Sequence, residues 1–179
     1  NGRATGITLA SGETLAADAI IFNGDSAALS DGLLGDDVVK STRTRKRQDR
    51  GLSAITWCIN ANTSGFELDH HNVFFATDYE REFTTIFKSR SICNEPTVYV
   101  CAQDRVNGKL STEGKERLLL LINAPADGDN GAWTRSKLDQ QRKNALDVLS
   151  RGGLNLAFSE EDCVTCLLYT SDAADETGR

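Results

Sequence analysis

The chain has 179 residues and a net charge of −6; 39% of its residues are hydrophobic and 26% are charged. This composition is ordinary for a soluble globular protein, and the acidic balance argues against a dedicated nucleic-acid-binding protein, which normally carries a basic surface. No run approaches the roughly 18 apolar residues of a membrane-spanning helix, and no charged-then-apolar leader indicates a signal peptide. Because the sequence has no Met and begins at Asn1, we interpret it as a piece of a longer protein.

The first part of the chain predicts two short strands and a short helix. Residues 4–9 and 19–22 have strand character, and residues 11–13 between them are typical of a turn. Residues 26–34 predict a short helix or turn that ends at Gly35.

Residues 42–50 form the one dense basic run of the sequence. Its basic side chains are Arg43, Arg45, Lys46, Arg47 and Arg50. A solvated connection is the default interpretation of such a run. The alternative is attraction to anionic lipid head groups, worth about 1 kcal/mol for each basic residue near such a surface. Nucleic-acid binding is the least favoured, because no aromatic residues alternate with the charges.

Four apolar runs predict the strands of one sheet, either mixed or antiparallel. They lie near residues 53–60, 71–75, 97–103 and 117–123. The second and third are rich in β-branched and aromatic residues, which suit a half-buried, pleated surface, and the fourth is a continuous apolar run of strand length.

A helix is predicted between the second and third runs. Asp78 can cap it, two glutamates fall in its first turn, and Phe83, Ile86 and Phe87 lie on one face at helical spacing. A second helix is predicted over residues 133–150 with a glycine stop after it, followed by a short strand at residues 154–158. The fold class predicted is α/β with α+β character, a mixed sheet packed with helices.

Three blocks in the middle of the chain resemble the carotenoid desaturases of the phytoene-desaturase type, which are flavoproteins of the larger amine-oxidase-like group. The blocks are HHNVFF at residues 70–75, Asp78-Tyr79 followed by Glu82-Phe83, and PTVYVCAQDR at residues 96–105. The resemblance is strongest to the branch acting on hydroxy- or methoxy-carotenoids, the methoxyneurosporene dehydrogenase or hydroxycarotenoid 3,4-desaturase type. It extends more loosely from about Asn1 to about Thr165.

The resemblance implies a two-domain flavoprotein of which this chain holds a central part. Residues 1–35 would be a β-hairpin piece of the FAD domain, and residues 36–165 part of the substrate-binding domain. Three residues after the second predicted strand would lie near the nucleotide half of FAD: Asn23, Gly24 and Asp25. A helix cap explains the same residues equally well. The glycine-rich G-x-G-x-x-G turn that receives a dinucleotide pyrophosphate does not occur in this sequence.

The activity implied is FAD-dependent removal of a hydride and a proton from adjacent carbons of an acyclic hydroxy- or methoxy-carotenoid. Electrons would leave through FAD to an acceptor that the sequence does not identify, and this piece alone is expected to be inactive. The residues expected to line the substrate are His71, Phe74, Phe75 and Tyr99. Phe74 and Phe75 would divide core packing and substrate contact, because alternate residues of a strand face opposite sides. A cytoplasmic protein, peripherally associated with the membrane, is expected.

Three alternatives remain open from the sequence. A flavin-dependent carotene isomerase or saturase of the same superfamily would use reduced flavin without net oxidation. A lipid- or polyene-binding module would bind its ligand without flavin. The isolated piece would lack a stable fold if its sheet edges pair with segments of the longer protein.

No metal site is predicted, since His70 and His71 are adjacent, and adjacent residues of a strand point to opposite faces. Asp104 and Arg105 are expected to form an ion pair at a strand end, although they could instead face the substrate. The five cysteines lack regular spacing and are expected to be free thiols.

The last segment, residues 166–179, resembles the in-frame translation of a transposase-type sequencing-library adapter, through the sequence CLLYTSDAADE. We therefore interpret it as non-native and exclude it from fold prediction. On this interpretation the C-x-x-C pair of Cys163 and Cys166 is accidental.

Overall fold

The structure is a computed structural model that describes residues 2–24, 26–42, 50–110, 113–127 and 133–167. The chain divides into two compact units, Asn1–Thr44 and Arg45–Arg179. The helices and strands of both units show a protein of mixed α and β structure, as predicted.

The first unit contains a small antiparallel hairpin and two short helices. They are β1 (Gly6–Thr8), β2 (Thr14–Ala16), α1 (Ser26–Ser30) and α2 (Asp36–Val39). The predicted turn connects the two strands: Gly12 has a φ of 88°, a conformation that favours glycine, and its N–H donates to the Leu9 carbonyl at 2.9 Å.

The predicted strand at residues 19–22 is wrong. These residues form no regular element, and the Ile21 side chain is 94% exposed. No described strand lies beside the segment to pair with its backbone, so its β-branched composition alone does not produce a strand.

The second unit is built on a six-stranded sheet. Its elements in chain order are β3 (Leu52–Gly65), β4 (His71–Phe74), α3 (Tyr79–Phe87), β5 (Val98–Ala102), β6 (Arg105–Val106), β7 (Lys109–Leu110), β8 (Glu116–Pro125), α4 (Arg135–Arg151), β9 (Leu154–Ala157), a 3₁₀ turn (Glu160–Asp162) and β10 (Cys163–Leu167). The strand order is β10-β3-β8-β5-β4, and β9 pairs with the far end of β3.

All four predicted strands of this sheet are confirmed. Every pairing among the described strands is antiparallel, so the mixed sheet is not observed. If β5 were parallel to β4, the connection through α3 would have to return the chain to the end of the sheet at which β4 began. It does not, and β5 therefore runs antiparallel to β4.

Helix α4 covers one side of the sheet and closes the core. Trp57 and Leu120 from the sheet and Leu149 from α4 are each 0% exposed within one cluster of buried apolar side chains. Thr134 caps the start of α4 by accepting a hydrogen bond from the Lys137 N–H at 3.4 Å. The helix ends before two glycines, and β9 follows where the sequence predicted a short strand.

Helix α3 begins where the sequence predicts. The Asp78 carboxylate accepts a hydrogen bond from the Arg81 N–H at 2.9 Å, which satisfies one of the unpaired donors of the first turn. Ile86 is 1% exposed, and the buried Glu82 carboxylate accepts the Thr97 N–H at 3.1 Å. These two side chains fix α3 against the end of the sheet.

The β6–β7 hairpin was not predicted, although its signal is in the sequence. Asn107 and Gly108 connect the two strands with φ angles of 52° and 73°. An Asn-Gly pair with two positive φ angles is the preferred two-residue hairpin turn. β10 was also missed, since its last residues, Cys166 and Leu167, lie in the segment excluded as non-native.

Candidate functional site

Among the described residues, the side of the sheet opposite α4 carries several exposed side chains. We call this side of β3, β8, β5 and β4, opposite α4, the open face. Two rows of cross-strand neighbours lie on it. One row consists of His71, Cys101, Leu119 and Cys58, and the other of Val73, Tyr99, Leu121 and Thr56. His71 and Cys58 are exposed, and Val73 is 49% exposed, whereas the alternate residues of the same strands are in the core.

An aromatic row extends this apolar surface. It starts at Phe75, one residue beyond β4, and continues along α3 through Tyr79, Phe83 and Phe87. Successive ring centroids are 5.6, 4.9 and 6.3 Å apart, within the range of favourable aromatic pairs. Phe75 is 67% exposed, so the row presents ring surface that the described residues do not bury.

A polar pair interrupts the open face at β4 and β5. The His71 Nδ1 lies 2.8 Å from the Tyr99 hydroxyl oxygen, and the two rings stack with centroids 6.1 Å apart. Burial raises the pKa of Tyr99, and the nearby Cys101 thiol raises it further. The Tyr99 phenol is therefore neutral at physiological pH, and it can donate or accept a hydrogen bond on this surface.

The structure brings His70 and His71 together, contrary to the sequence argument. Their ring centroids are 4.4 Å apart at an interplanar angle of 89°. His70 lies in a bend before β4 begins at His71, so the alternation of side chains along a strand does not apply to it. The Cys101 Sγ lies 3.7 Å from the His70 Nε2.

The four predicted substrate-lining residues have different environments. Phe74 is 8% exposed in the core, where its ring contacts the Phe66 ring with centroids 5.1 Å apart. Phe75 is exposed, so the two phenylalanines face opposite sides as expected. His71 and Tyr99 lie on the open face with Phe75. The substrate-lining roles themselves remain predictions.

The structure describes two of the three residues predicted to lie near a flavin, and their role there remains a prediction. Asn23 and Gly24 are exposed in irregular chain, and Asp25 lies outside the described residues. The Phe22 ring fills the space beside Gly24: a Cβ placed on Gly24 would lie only 2.5 Å from the Phe22 Cζ. Close approach of a cofactor at Gly24 would first require that ring to move.

Asp104 and Arg105 do not pair with each other, contrary to expectation. Asp104 accepts hydrogen bonds from Arg117, which lower its pKa, while Arg105 turns to the opposite side of the chain. Arg105 donates to both oxygens of the buried Glu116 carboxylate at 2.9 and 2.8 Å, and Thr63 donates to the same carboxylate. Arg117, the partner of Asp104, and Glu116, the partner of Arg105, are adjacent residues of β8.

Arg50 is the only predicted lipid-facing residue within the described part of the chain; the other four, between residues 43 and 47, lie outside it. It is half-buried and donates to the Ala126 carbonyl at 3.3 Å. All five cysteines lie within the described residues and are free thiols, as predicted. Among the described helices, none has both the length and the apolar character needed to cross a membrane.

Comparison with known proteins gives consistent relatives. The chain is 46% identical over 161 residues to a hydroxyneurosporene desaturase of Rubrivivax gelatinosus, covering 90% of this chain and 31% of the relative. It is 47% identical over 124 residues to a hydroxyneurosporene desaturase of Cereibacter sphaeroides, covering 69% of this chain and 25% of the relative. It is 30% identical over 151 residues to a 1-hydroxycarotenoid 3,4-desaturase of a Flavobacterium species, covering 84% of this chain and 30% of the relative. No protein-family model matches the chain.

These similarities confirm the resemblance read from the three sequence blocks: the chain belongs to the carotenoid desaturases of the phytoene-desaturase type. Its higher identities are to desaturases named for hydroxylated carotenoids. The chain spans about a third or less of the length of these curated relatives.

Proposed function

We propose that the whole protein is an FAD-dependent oxidoreductase that desaturates an acyclic carotenoid carrying a hydroxyl or methoxyl group. This chain contributes part of the surface that contacts the polyene. The observation that carries the proposal is the open face with its aromatic row, in a chain whose relatives are desaturases named for hydroxylated carotenoids.

The physical character of the open face suits a long, flat, apolar ligand. Ligand sites are mostly apolar, with a few polar groups that fix orientation, and an exposed apolar surface of this kind marks an interaction site. Val73, Leu121 and the aromatic row supply the apolar part, while His71 and Tyr99 supply the polar pair. Phe75 would contact the polyene directly, and Phe74 would support it from the core.

For the whole protein we propose FAD as the cofactor, as in the family, with Asn23, Gly24 and Asp25 near its nucleotide half. The first unit would then belong to the flavin domain and the second to the substrate-binding domain. The two compact units divide after Thr44, nine residues later than the proposed domain boundary after residue 35. We retain the proposal that residues 166–179 are a non-native tail; residues 168–179 lie outside the described part.

The test begins with the full open reading frame, amplified outward from the codons for residues 70–105 in the source DNA. The full protein is then expressed in cells that accumulate an acyclic hydroxycarotenoid, and the products are analysed by chromatography and absorption. New double bonds, seen as longer-wavelength absorption and loss of two hydrogens by mass, are the expected result. A change of double-bond geometry at constant mass would instead identify an isomerase, and a product with more hydrogens a saturase.

Variants of the full protein test the role of the open face. Phe75→Ala should lower desaturated product without lowering the melting temperature, because Phe75 is 67% exposed. Val106→Ala is the matched control, since Val106 is 64% exposed on β6, which is not one of the strands that form the open face. Equal product from Phe75→Ala and the control would refute a polyene contact at Phe75.

Peripheral membrane attachment through the basic run is proposed for the same protein. Flotation with liposomes that contain anionic lipid should exceed flotation with neutral liposomes and should fall as salt is raised. Flotation that does not depend on anionic lipid would remove this proposal.

A further inference from the structure

Two imidazoles and one thiol converge where β4 starts. His70, His71 and Cys101 each offer one ligand atom, and these three atoms lie within 4.8 Å of one another. We propose that these residues bind one divalent transition-metal ion of the zinc class. Sequence reasoning excluded this site because the two histidines were assumed to point in opposite directions.

The backbone holds the three residues in place. His71 and Cys101 are direct partners in the β4–β5 ladder, and directly opposed side chains of an antiparallel pair are close neighbours. The Ala102 N–H donates to the His70 carbonyl at 2.9 Å, which extends the pairing one residue before β4. The bend at His70 then turns its ring towards the same side as His71.

Hydrogen bonds at the second ring nitrogens favour ligation. The His70 Nδ1 lies 3.0 Å from the Arg105 carbonyl oxygen. A carbonyl only accepts, so Nδ1 carries the hydrogen and Nε2, which faces the Cys101 Sγ at 3.7 Å, keeps its lone pair. Metal-binding histidines are characteristically oriented by such a bond. The Tyr99 hydroxyl, 2.8 Å from the His71 Nδ1, is placed to orient the second ring or to supply an oxygen beside the ion.

The donor set selects the class of metal. Zinc accepts nitrogen and sulfur ligands at about 2.0–2.3 Å in a tetrahedron, and three protein ligands leave a fourth position for water. Magnesium and calcium prefer oxygen ligands. His71 is exposed and His70 half-buried, so both rings can rotate and bring their nitrogen atoms, with the Cys101 Sγ, to coordination distance from one ion. On binding, the Cys101 thiol loses its proton to solvent and coordinates as the thiolate.

Cobalt(II) is the probe, since it replaces zinc and gives visible ligand-field bands and a near-ultraviolet sulfur-to-cobalt band. The other four cysteines of the 179-residue chain are changed to Ser, so that Cys101 is the only thiol left. Titration of this variant under reducing conditions should give both sets of bands at one cobalt per chain, and added zinc should abolish them. In the same background, Cys101→Ala should lose the sulfur-to-cobalt band, and His71→Ala should lose the tetrahedral bands.

Alkylation of the unmutated chain tests the site without any substitution. Zinc should slow alkylation of Cys101, read out by peptide mass spectrometry, and leave Cys93 unchanged as the internal control. Tetrahedral bands that keep their full intensity in Cys101→Ala or His71→Ala, absence of bands in the parent variant, or equal alkylation of Cys101 with and without zinc would each overturn the proposal. These are binding measurements alone, so their failure would not bear on the proposed desaturase function.

Discussion

Replacing Arg105 by Ala should destabilise the second unit severely, because it leaves a buried carboxylate without its cation. The Arg105 side chain is 14% exposed and that of Glu116 1%. Arg105 also donates to Thr63 and to the Leu68 and Gly108 carbonyls. Breaking a buried ion pair by removing one partner costs about 3–5 kcal/mol. Because Thr63 still donates to Glu116 in the variant, we expect the lower end of that range, about 3 kcal/mol.

The assay is urea unfolding followed by tryptophan fluorescence, since Trp57 is fully buried in β3, the strand that also carries Thr63. With a urea dependence of about 1–3 kcal/mol per molar, a loss of this size lowers the midpoint by about 1–3 M. Arg117→Ala is the matched control: its side chain is 70% exposed, and its partner Asp104 keeps the Arg117 backbone N–H as a donor. Arg117→Ala should lower the urea midpoint far less than Arg105→Ala does.

The pH dependence gives an independent check with a definite sign. Burial opposes ionisation of Glu116, but the hydrogen bonds from Arg105 and Thr63 outweigh it and lower the pKa below its ordinary value of 4.5. A carboxyl whose pKa is lowered in the folded state stabilises it above the unfolded pKa, and this contribution is lost as pH falls through the folded value. The difference between wild type and Arg105→Ala should therefore narrow below pH 4.5. A difference that is constant or widens with acid, or equal losses in the two arginine variants, would refute the reasoning.

Two further predictions concern local structure in the same unit. Asp78→Ala should cost about 1 kcal/mol by removing the cap that accepts the Arg81 N–H, whereas Asp78→Asn should retain most of the stability; equal losses in urea unfolding would contradict a capping role. Gly65→Ala should cost more than about 1 kcal/mol, because Gly65 has a φ of 89° and an added Cβ would lie 2.1 Å from the Gly153 carbonyl oxygen. Gly114→Ala, with a φ of 90° but no atom within 4 Å of the added Cβ, should cost less in the same measurement; a larger loss at Gly114 would show that the contact is not decisive.

Sequence reasoning located the sheet and its helices because their signals are local. The buried residues Ile55, Trp57 and Ile59 alternate along β3, and alternation is the signature of a strand with one covered side. Asp78 marks the start of α3 through hydrogen bonds to its own neighbours in sequence. The family, too, could be identified from short blocks of residues.

The parts that sequence reasoning missed depend on contacts between distant residues or on small departures from regularity. Arg105 meets Glu116 because the pairing of β5 with β8 brings the chain just after Ala102 beside the start of β8. Nothing adjacent in sequence indicates that Arg105 pairs with Glu116 rather than with Asp104. The histidine pair converges because β4 begins at His71 and His70 lies in the bend before it, where the alternation of a strand does not apply. Residues 19–22 have the composition of a strand, but no described strand pairs with them, and composition alone does not form a strand.

The position of β3 in the sheet has a consequence for synthesis on the ribosome. The three described strands that pair with β3, namely β8, β9 and β10, all lie later in the chain, and about sixty residues separate the start of β3 from the start of β8. At about 5–20 residues per second, translation of that interval takes roughly 3–12 s. During this time Ile55 and Trp57 have no partner strand and the backbone of β3 is unpaired on both sides. We therefore expect the nascent chain to expose these apolar side chains until β8 is made and the central pair can form.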